Sequence, residues 1–334
     1  MRVAVLGATG LVGQKFVALL HKWFPWHICE VVASETKYSQ TYGSACVWQE
    51  SLGPMPESMA RVPIRRIEDI ESDIIVSFLP EGIAESLETY CLSKGKLVFS
   101  NASAYRMHPA VPILIPEVNQ DHMSLVVKQP FSGRIITNSN CCVSGIALAL
   151  SPLQEFGIDR VNIVTLQSAS GAGHPGVSSM DVLGNTIPHI VGEEEKIHRE
   201  TLKILGKCDE PAHFPIAVSV HRVPVVYGHT LTLHVTFLNS MDIEEILHSY
   251  HRRNEEFPGT YKLYDTLWHP QARKDLTDDD MRVHIGPITY GGGDFRTIKM
   301  NILIHNLVRG AAGALLTNMH NYCFQHTGEY ACLQ

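Results

Sequence analysis

Arg2-Val3-Ala4-Val5-Leu6-Gly7-Ala8-Thr9-Gly10-Leu11-Val12-Gly13 opens the chain with a short, mostly apolar strand that runs into a glycine turn. Gln14 to Trp23 then reads as a helix, with Phe16, Leu19 and Leu20 along one side. Glycines at a strand-to-helix turn let the backbone approach a pyrophosphate at the helix N-terminus. Glycine turns are common, so the pattern gains its weight from its flanks. Ile28 to Ala33 supplies the second strand that a βαβ unit requires.

The tip of that second strand, where an adenosine ribose belongs, reads Ala33-Ser34-Glu35-Thr36-Lys37-Tyr38-Ser39. An acid there favours NAD, and hydroxyls with a cation favour the 2′-phosphate of NADP. Glu35 and Lys37 pull in opposite directions, and the residues alone leave both cofactors open. Further along, Asp73 to Leu79 and Leu97 to Ser100 read as strands, with a helix over Ala84 to Leu92 between them. Val111 to Ile115 and Arg134 to Thr137 are expected to continue the sheet. Arg106 falls just past a strand end, where open α/β sheets bind ligands, although most arginines simply solvate a surface.

The sheet leads to Asn138-Ser139-Asn140-Cys141-Cys142-Val143-Ser144-Gly145 and the apolar run Ile146 to Leu150. A helix is expected to start here, and a cysteine at its first turn lies near unpaired N–H groups that favour thiolate over thiol. The plainer reading is a pair of small buried hydrophobes, which is how cysteines usually serve.

At 334 residues the chain has room for two domains, and 45% hydrophobic with 18% charged residues suits a globular protein with a sizeable core. A net charge of -7 argues against a nucleic-acid partner. The eight cysteines form no Cys-x-x-Cys pair, so no metal site is expected and the thiols read as those of a reduced, cytoplasmic protein. The apolar start runs straight into the glycine turn and reads as a strand rather than a leader, and no apolar run is long enough for a bilayer.

After about residue 155 the pattern changes. Val161 to Leu166 alternates like a strand and ends in the small-residue loop Gln167-Ser168-Ala169-Ser170-Gly171-Ala172-Gly173. Glu193-Glu194-Glu195-Lys196 opens a helix, its acids where the helix dipole prefers them. Glu193 and Lys196 share a face, and the plain reading of the two is a surface ion pair. Ala217 to Val223 and His229 to Leu238 read as strands; on one continuous strand Arg222 and His229 would face opposite sides, so they meet only if Pro224 and Gly228 bend the chain. Met281 to Tyr290 and Phe295 to Ile304 add strands, which makes this half a mixed α+β layer. Asn306 to Tyr322 reads as a long helix with small residues at Gly310 to Gly313.

Together these segments resemble aspartate-semialdehyde dehydrogenase over nearly the whole chain. Gly7 to Gly13 matches that family's cofactor loop, Asn140-Cys141 its nucleophile motif and Gln167 to Gly171 its glutamine loop. Glu193 to Lys196 resembles its substrate helix, Arg222-Val223-Pro224-Val225 with Gly228-His229 its arginine–histidine strand pair, and Asn306 to Gly313 its closing helix. Pro116-Glu117-Val118-Asn119 and the wording around Gln167 are similar to the archaeal and fungal branch. Each motif is weak alone; six in the right order are specific.

The resemblance implies an α/β fold. A Rossmann-like, parallel-sheet NADP-binding domain would span 1–154, and an α+β substrate and dimerisation domain 155–304. A C-terminal helix (305–334) would return to the first domain. It implies reduction of L-aspartyl 4-phosphate by NADPH to L-aspartate 4-semialdehyde and phosphate, within biosynthesis of the aspartate-derived amino acids. Cys141 would attack the acyl phosphate and form a thioester, a thiol being both nucleophile and leaving group. His229 would act as acid and base, and Gln167 would orient the intermediate. Arg222 would grip the substrate carboxylate, Glu193 its ammonium, and Arg106, Asn140 and Lys196 its phosphate. Gly7, Thr9, Gly10, Leu11, Val12, Gly13, Ser34, Lys37, Ser39, Ser170, Gly171 and Asn306 would hold NADP(H). The partners implied are these small molecules and a second copy of the chain, as homodimer or homotetramer.

Two positions depart from the family pattern. Cys142 stands where Thr or Ser is usual, and His221 where a smaller polar residue is common. The rival readings are an N-acetylglutamyl-phosphate or glyceraldehyde-3-phosphate enzyme, a short-chain dehydrogenase, and a non-catalytic NADP-binding sensor. Glu193 argues against the first pair, since neither substrate offers an ammonium. Tyr90-x-x-x-Lys94 mimics the short-chain pair but comes too early in the chain and leaves Cys141, Gln167 and His229 unexplained.

Overall fold

The computed structural model describes residues 2–24, 27–264 and 267–327. The chain divides into two compact units, one made of Met1–Pro116, Gln120–Ser139 and Ala311–Gln334, the other of Glu117–Asn119 and Asn140–Gly310. The sequence reading drew this boundary at 154. The observed one falls earlier because the helix at Cys141–Leu150 is apolar on all sides and packs within the second unit. The part of the expected 305–334 segment beyond 327 lies outside the described residues.

The first unit is a six-stranded parallel sheet. Its strands are β1 (Arg2–Leu6), β2 (His27–Val32), β3 (Ile64–Arg65), β4 (Ile74–Ser77), β5 (Leu97–Ser100) and β6 (Arg134–Thr137), in the order β3-β2-β1-β4-β5-β6. The reversal of order beside β1 is where doubly wound sheets open a crevice for a dinucleotide. Helices α1 (Leu11–Trp23) and α2 (Glu81–Ser93) cross over between strands. Near-continuous apolar strands are what a sheet covered on both faces requires, and Ala4, Leu6, Val32, Ile75, Val98 and Ile135 form its core. The expected strand over Val111 to Ile115 is not one. Only Ile113 bridges to Thr137, because Pro112 removes a ladder donor and Pro116 ends the segment.

In the glycine turn, Gly7 has φ of +77°, and a Cβ there would lie 2.7 Å from the Phe78 carbonyl oxygen. A Cβ on Gly13 would lie 2.4 Å from the Gly7 oxygen. Only glycine lets helix and turn come this close. Gln14 donates to the Thr9 carbonyl at 2.9 Å and Tyr42 to the Ala8 carbonyl at 2.8 Å, which pins the loop.

The second unit begins at α3 (Cys141–Leu150) and holds β7 (Ile158–Ser168), β8 (Ile187–Pro188), α4 (Glu193–Leu205), β9 (Ile216–Val223), β10 (His229–Phe237), α5 (Ile243–Glu256), β11 (Tyr261–Leu263), β12 (Val283–Ile285), β13 (Thr289–Tyr290) and β14 (Thr297–Ile304). The strands make one mixed sheet, ordered β11-β12-β14-β10-β7-β9-β8 with β13 on β14. Along β7, Val161, Ile163, Thr165 and Gln167 are buried while Arg160, Asn162, Val164 and Leu166 are exposed, the period of two that a one-sided sheet imposes. Helix α3 presses on the buried face: a Cβ on Gly145 would lie 2.9 Å from Ile304 Cγ2. The carbonyls near its end are met by hydroxyls of Tyr261, on Leu148 at 2.9 Å, and Tyr250, on Ala149 at 2.5 Å.

This unit's part of the chain ends at Gly310, within the π-helical stretch Val308–Ala312, and α6 (Gly313–Thr327) belongs to the first unit. There the Phe24 and His320 rings stack at 4.9 Å, and Asn318 donates to the Leu114 carbonyl at 3.0 Å. Among the described residues no helix is long and apolar enough to cross a membrane.

Candidate active site

Three strands carry the site across one level of the second sheet. Gln167 on β7 pairs with Arg222 on β9 in parallel register, and on the other side Leu166 pairs with Thr230, the residue after His229 on β10. Arg222 and His229 therefore meet because the chain turns between Pro224 and Gly228, the bend that the sequence required. They lie on two strands that flank the same one, and Pro224 to Gly228 belong to the connection between them.

Cys141 enters from the first turn of α3. Asn140 is the N-cap: its Oδ1 accepts from the N–H groups of Cys142 at 2.9 Å and Val143 at 3.4 Å. The Cys141 Sγ stands 3.1 Å from His229 Nε2. His229 is fully buried, and its Nδ1 accepts from the Ser168 main-chain N–H at 3.0 Å and meets the Ser168 hydroxyl at 3.1 Å.

Glu193, at the start of α4, accepts from Asn140 Nδ2 at 2.8 Å and Gln167 Nε2 at 3.3 Å. Arg222, 6% exposed, gives one N–H to the Ser168 carbonyl at 2.8 Å. Two glycines leave room for these groups. A Cβ on Gly310 would sit 2.8 Å from Cys141 Cβ, and one on Gly171 would sit 2.7 Å from Arg222 Nη1 and 3.1 Å from His229 Cε1.

The electrostatics split the two adjacent thiols. A hydrogen bond from the Cys142 thiol holds Cys141 well below the ordinary thiol range against the opposing effect of burial, and His229 and Arg222 add to it. Burial pushes Cys142 well above that range, and the Cys141 sulfur pushes it further. The two thiols are thus pushed in opposite directions, Cys141 down and Cys142 up. The Glu193 carboxyl is pushed up, first by burial and then by Cys141, while the two amides pull it down.

The remaining expected residues are distributed as follows. Lys196 is one turn beyond Glu193 on α4 and half-buried. Ser170 and Asn306 are buried, and Asn306 accepts from Gly228 N–H at 2.9 Å and donates to Ser170 Oγ at 2.9 Å. Gly7, Thr9, Gly10, Leu11, Val12 and Gly13 form the turn and first helical residues of the first unit. In that unit the Ser34 hydroxyl lies 3.1 Å from that of Thr36, Lys37 ends a 3₁₀ turn, and Ser39 has φ of +68°. The Glu35 side chain lies outside the described residues. Arg106, also in the first unit, is buried and donates to the Asn101 carbonyl at 2.7 Å.

Three contributors carry no signal in the sequence beyond proximity to a motif. They are Ser168 against His229, Gly310 against Cys141, and Glu200, whose carboxylate accepts from the Asn140 N–H at 2.6 Å. Cys142, an odd residue in the sequence, has its sulfur within 4.8 Å of that of Cys141 and is held above the ordinary thiol range.

Comparison with known proteins follows the same division. The family described as semialdehyde dehydrogenase, NAD binding domain, matches residues 2–126, and the semialdehyde dehydrogenase dimerisation domain matches 150–309. An aspartate-semialdehyde dehydrogenase of Archaeoglobus fulgidus is 37% identical over 95% of this chain and 96% of its own, and one of Schizosaccharomyces pombe 35% over 95% and 96%. A malonyl CoA reductase (NADP) of Metallosphaera sedula is 31% identical over 94% of each. The crystal structure of aspartate semialdehyde dehydrogenase with NADP from Candida albicans superposes with a TM-score of 0.83 at 31% identity, covering 96% of this chain and 98% of that one. Archaeal and fungal relatives thus share both domains with it, and the chain belongs to the aspartate-semialdehyde dehydrogenase family.

Proposed function

We propose that this protein reduces L-aspartyl 4-phosphate to L-aspartate 4-semialdehyde, releasing phosphate, by way of a thioester on Cys141. The observation that carries the reading is a depressed-pKa thiol at a helix N-terminus, 3.1 Å from a buried histidine, with a carboxylate and a guanidinium in the same site. Cys141 attacks the acyl carbon, and phosphate leaves. His229, against the same sulfur, serves the carbonyl that reacts there. Arg222 takes the substrate's α-carboxylate, Glu193 its ammonium, and Gln167 orients the bound acyl group. Asn140 holds Glu193 and caps the helix, and Lys196 meets phosphate.

NADP fits the glycine turn of the first unit, where a Cβ at Gly13 would fill the space between turn and helix and where α1 starts without a side-chain cap. Gly7, Thr9, Gly10, Leu11, Val12 and Gly13 would hold its pyrophosphate, Ser34, Lys37 and Ser39 its 2′-phosphate, and Ser170, Gly171 and Asn306 its other end. When bound it supplies the hydride that reduces the thioester. The half-exposed Val164 and Leu166 lie on the open face of the second sheet, which suits a homodimer built on the family's dimerisation domain; a tetramer would need a further surface. A cytoplasmic location would keep the cysteines reduced.

The experiment is phosphate-dependent reduction of NADP by the purified protein with L-aspartate 4-semialdehyde. Cys141→Ala is expected to lose at least about a thousandfold in kcat, and Cys142→Ala to stay within about tenfold of the unchanged protein. Loss only with Cys142→Ala would move the nucleophile by one residue. Binding of NADP without turnover would sink the substrate assignment and leave a sensor.

A second reading comes from the malonyl CoA reductase relative, and Glu193 separates the two. A malonyl group brings no ammonium for that carboxylate to pair with, so malonyl-CoA is expected to be reduced far more slowly than aspartate semialdehyde is oxidised.

A further inference from the structure

We propose that Ser168 fixes the proton of the neutral His229 ring on Nε2, so that His229 works at the reaction centre as a hydrogen-bond donor and not as the base that strips Cys141. This rests on the reading of Cys141 and His229 as the reacting pair. A main-chain N–H can only donate, and the Ser168 N–H points at Nδ1 from 3.0 Å. The nitrogen it meets must offer a lone pair, so in the neutral ring the proton sits on Nε2.

The surrounding hydroxyls agree on the same direction. Gly228 N–H donates to Asn306 Oδ1 and so orients that amide; its Nδ2 donates to Ser170 Oγ at 2.9 Å. The Ser170 hydroxyl is then free to donate to Ser168 Oγ at 3.2 Å, and that hydroxyl to His229 Nδ1 at 3.1 Å. Turning the ring over would put carbon at both the Ser168 and the Cys141 contacts. Ser168 is thus a positioning residue for His229, with Ser170 and Asn306 behind it.

The consequence at Cys141 is chemical. Nε2, 3.1 Å from the sulfur, already carries a proton and cannot receive another from the thiol. It can only donate, to the thiolate at rest and to the carbonyl oxygen as charge gathers on it.

The reaction does not need more. Thiolate sulfur bonds to the acyl carbon and the carbon–oxygen bond to phosphate breaks; the departing phosphate takes one proton from solvent. The hydride that a bound nicotinamide cofactor would supply would add to the thioester carbon and leave an alkoxide there. The carbon–sulfur bond then breaks, the alkoxide becomes the aldehyde carbonyl, and the electron pair returns to sulfur. Sulfur neither gains nor loses a proton in the cycle. The same proton also leaves Nε2 no lone pair for a metal ion, although Cys141, Cys142 and His229 lie within 4.8 Å of one another.

The test is nitrogen-15 NMR of the full chain labelled at histidine, at about pH 8, above the ordinary imidazole value of ~6.5. The His229 signals are assigned by their loss in His229→Gln. A protonated Nε2 and an unprotonated Nδ1 are expected; the reverse overturns the proposal, whether or not the enzyme turns over. Activity gives the second readout. His229→Ala is expected to lose about 10²–10³-fold in kcat, as removal of an oxyanion donor does. His229→Gln, whose amide N–H can donate from a similar place, is expected to retain at least about tenfold more. Equal loss in the two variants would restore the base, and unimpaired His229→Ala would remove His229 from the chemistry altogether.

Discussion

Glu117 and Glu193 are two largely buried carboxylates of the same unit, and their surroundings are opposite. Glu117 faces Arg309, whose Nη2 reaches it at 2.6 Å, and Arg253 donates to its main-chain carbonyl. Burial pushes its carboxyl up, but the Arg309 charge outweighs this and holds it below the ordinary range. Glu193 has two neutral amides for partners and a reactive sulfur nearby, and its carboxyl is held above that range, first by burial and then by Cys141. The first charge is neutralised within the fold. The second is oriented by two amides, and the partner proposed for it is the substrate ammonium.

If Glu117 and Arg309 are a structural pair, breaking it must hurt most. Arg309→Met leaves a buried carboxylate without its cation and should cost about 3–5 kcal/mol in urea unfolding. Removing both charges, as Glu117→Gln with Arg309→Met, should recover more than half of that, because no lone charge remains buried. A single variant that costs under about 1 kcal/mol would mean that water reaches Glu117, and the contrast with Glu193 would collapse.

Glu193→Gln should behave in the reverse way. The amide keeps an oxygen for Asn140 and Gln167 but has no charge for the substrate ammonium, so kcat/KM for aspartate semialdehyde should fall by about a hundredfold, near 3 kcal/mol. Stability should hold or rise, since the folded state no longer shelters a poorly neutralised carboxylate. A loss of stability matching that of Arg309→Met would make Glu193 a structural residue and reopen the malonyl-CoA reading.

The two residues also show what a sequence discloses. The glycine turn is contiguous: Gly7, Gly10 and Gly13 act on their own strand and helix, and both flanks are visible in the local pattern. Glu193 and Lys196 stood at a helix start and looked like a surface pair, because what singles out Glu193 is Asn140 and Gln167, far away along the chain. The turn at Pro224 to Gly228 that lets Arg222 and His229 meet is legible in the sequence, but not the strand that lies between them. Register on β7 places them, and register between distant strands leaves no local trace. Ser168 was invisible for a sharper reason, since it acts on His229 through its main chain, which every residue but proline possesses. Order-dependent motifs carried the family; contacts made by backbone and by glycines could not be read without coordinates.

The smallest expected effect is also the most direct comparison of the two carboxylates. Glu117 has a depressed value in the fold, so the stability it contributes is present above the ordinary glutamate value of ~4.3 and is lost as pH falls through its folded value. Glu193 has a raised value, so between ~4.3 and that value the folded chain binds more protons than the unfolded one, and stability falls as pH rises. Subtracting the wild-type unfolding curve from that of each glutamine variant isolates one group at a time. The Glu117→Gln difference should be a deficit at neutral pH that shrinks on acidification, and the Glu193→Gln difference a gain at neutral pH that also shrinks on acidification. Each should change by at most about 1.4 kcal/mol per pH unit across its own window. Deficits at neutral pH in both variants would show that the site charge is as well neutralised as the structural one, and that the fold alone, without substrate, satisfies Glu193.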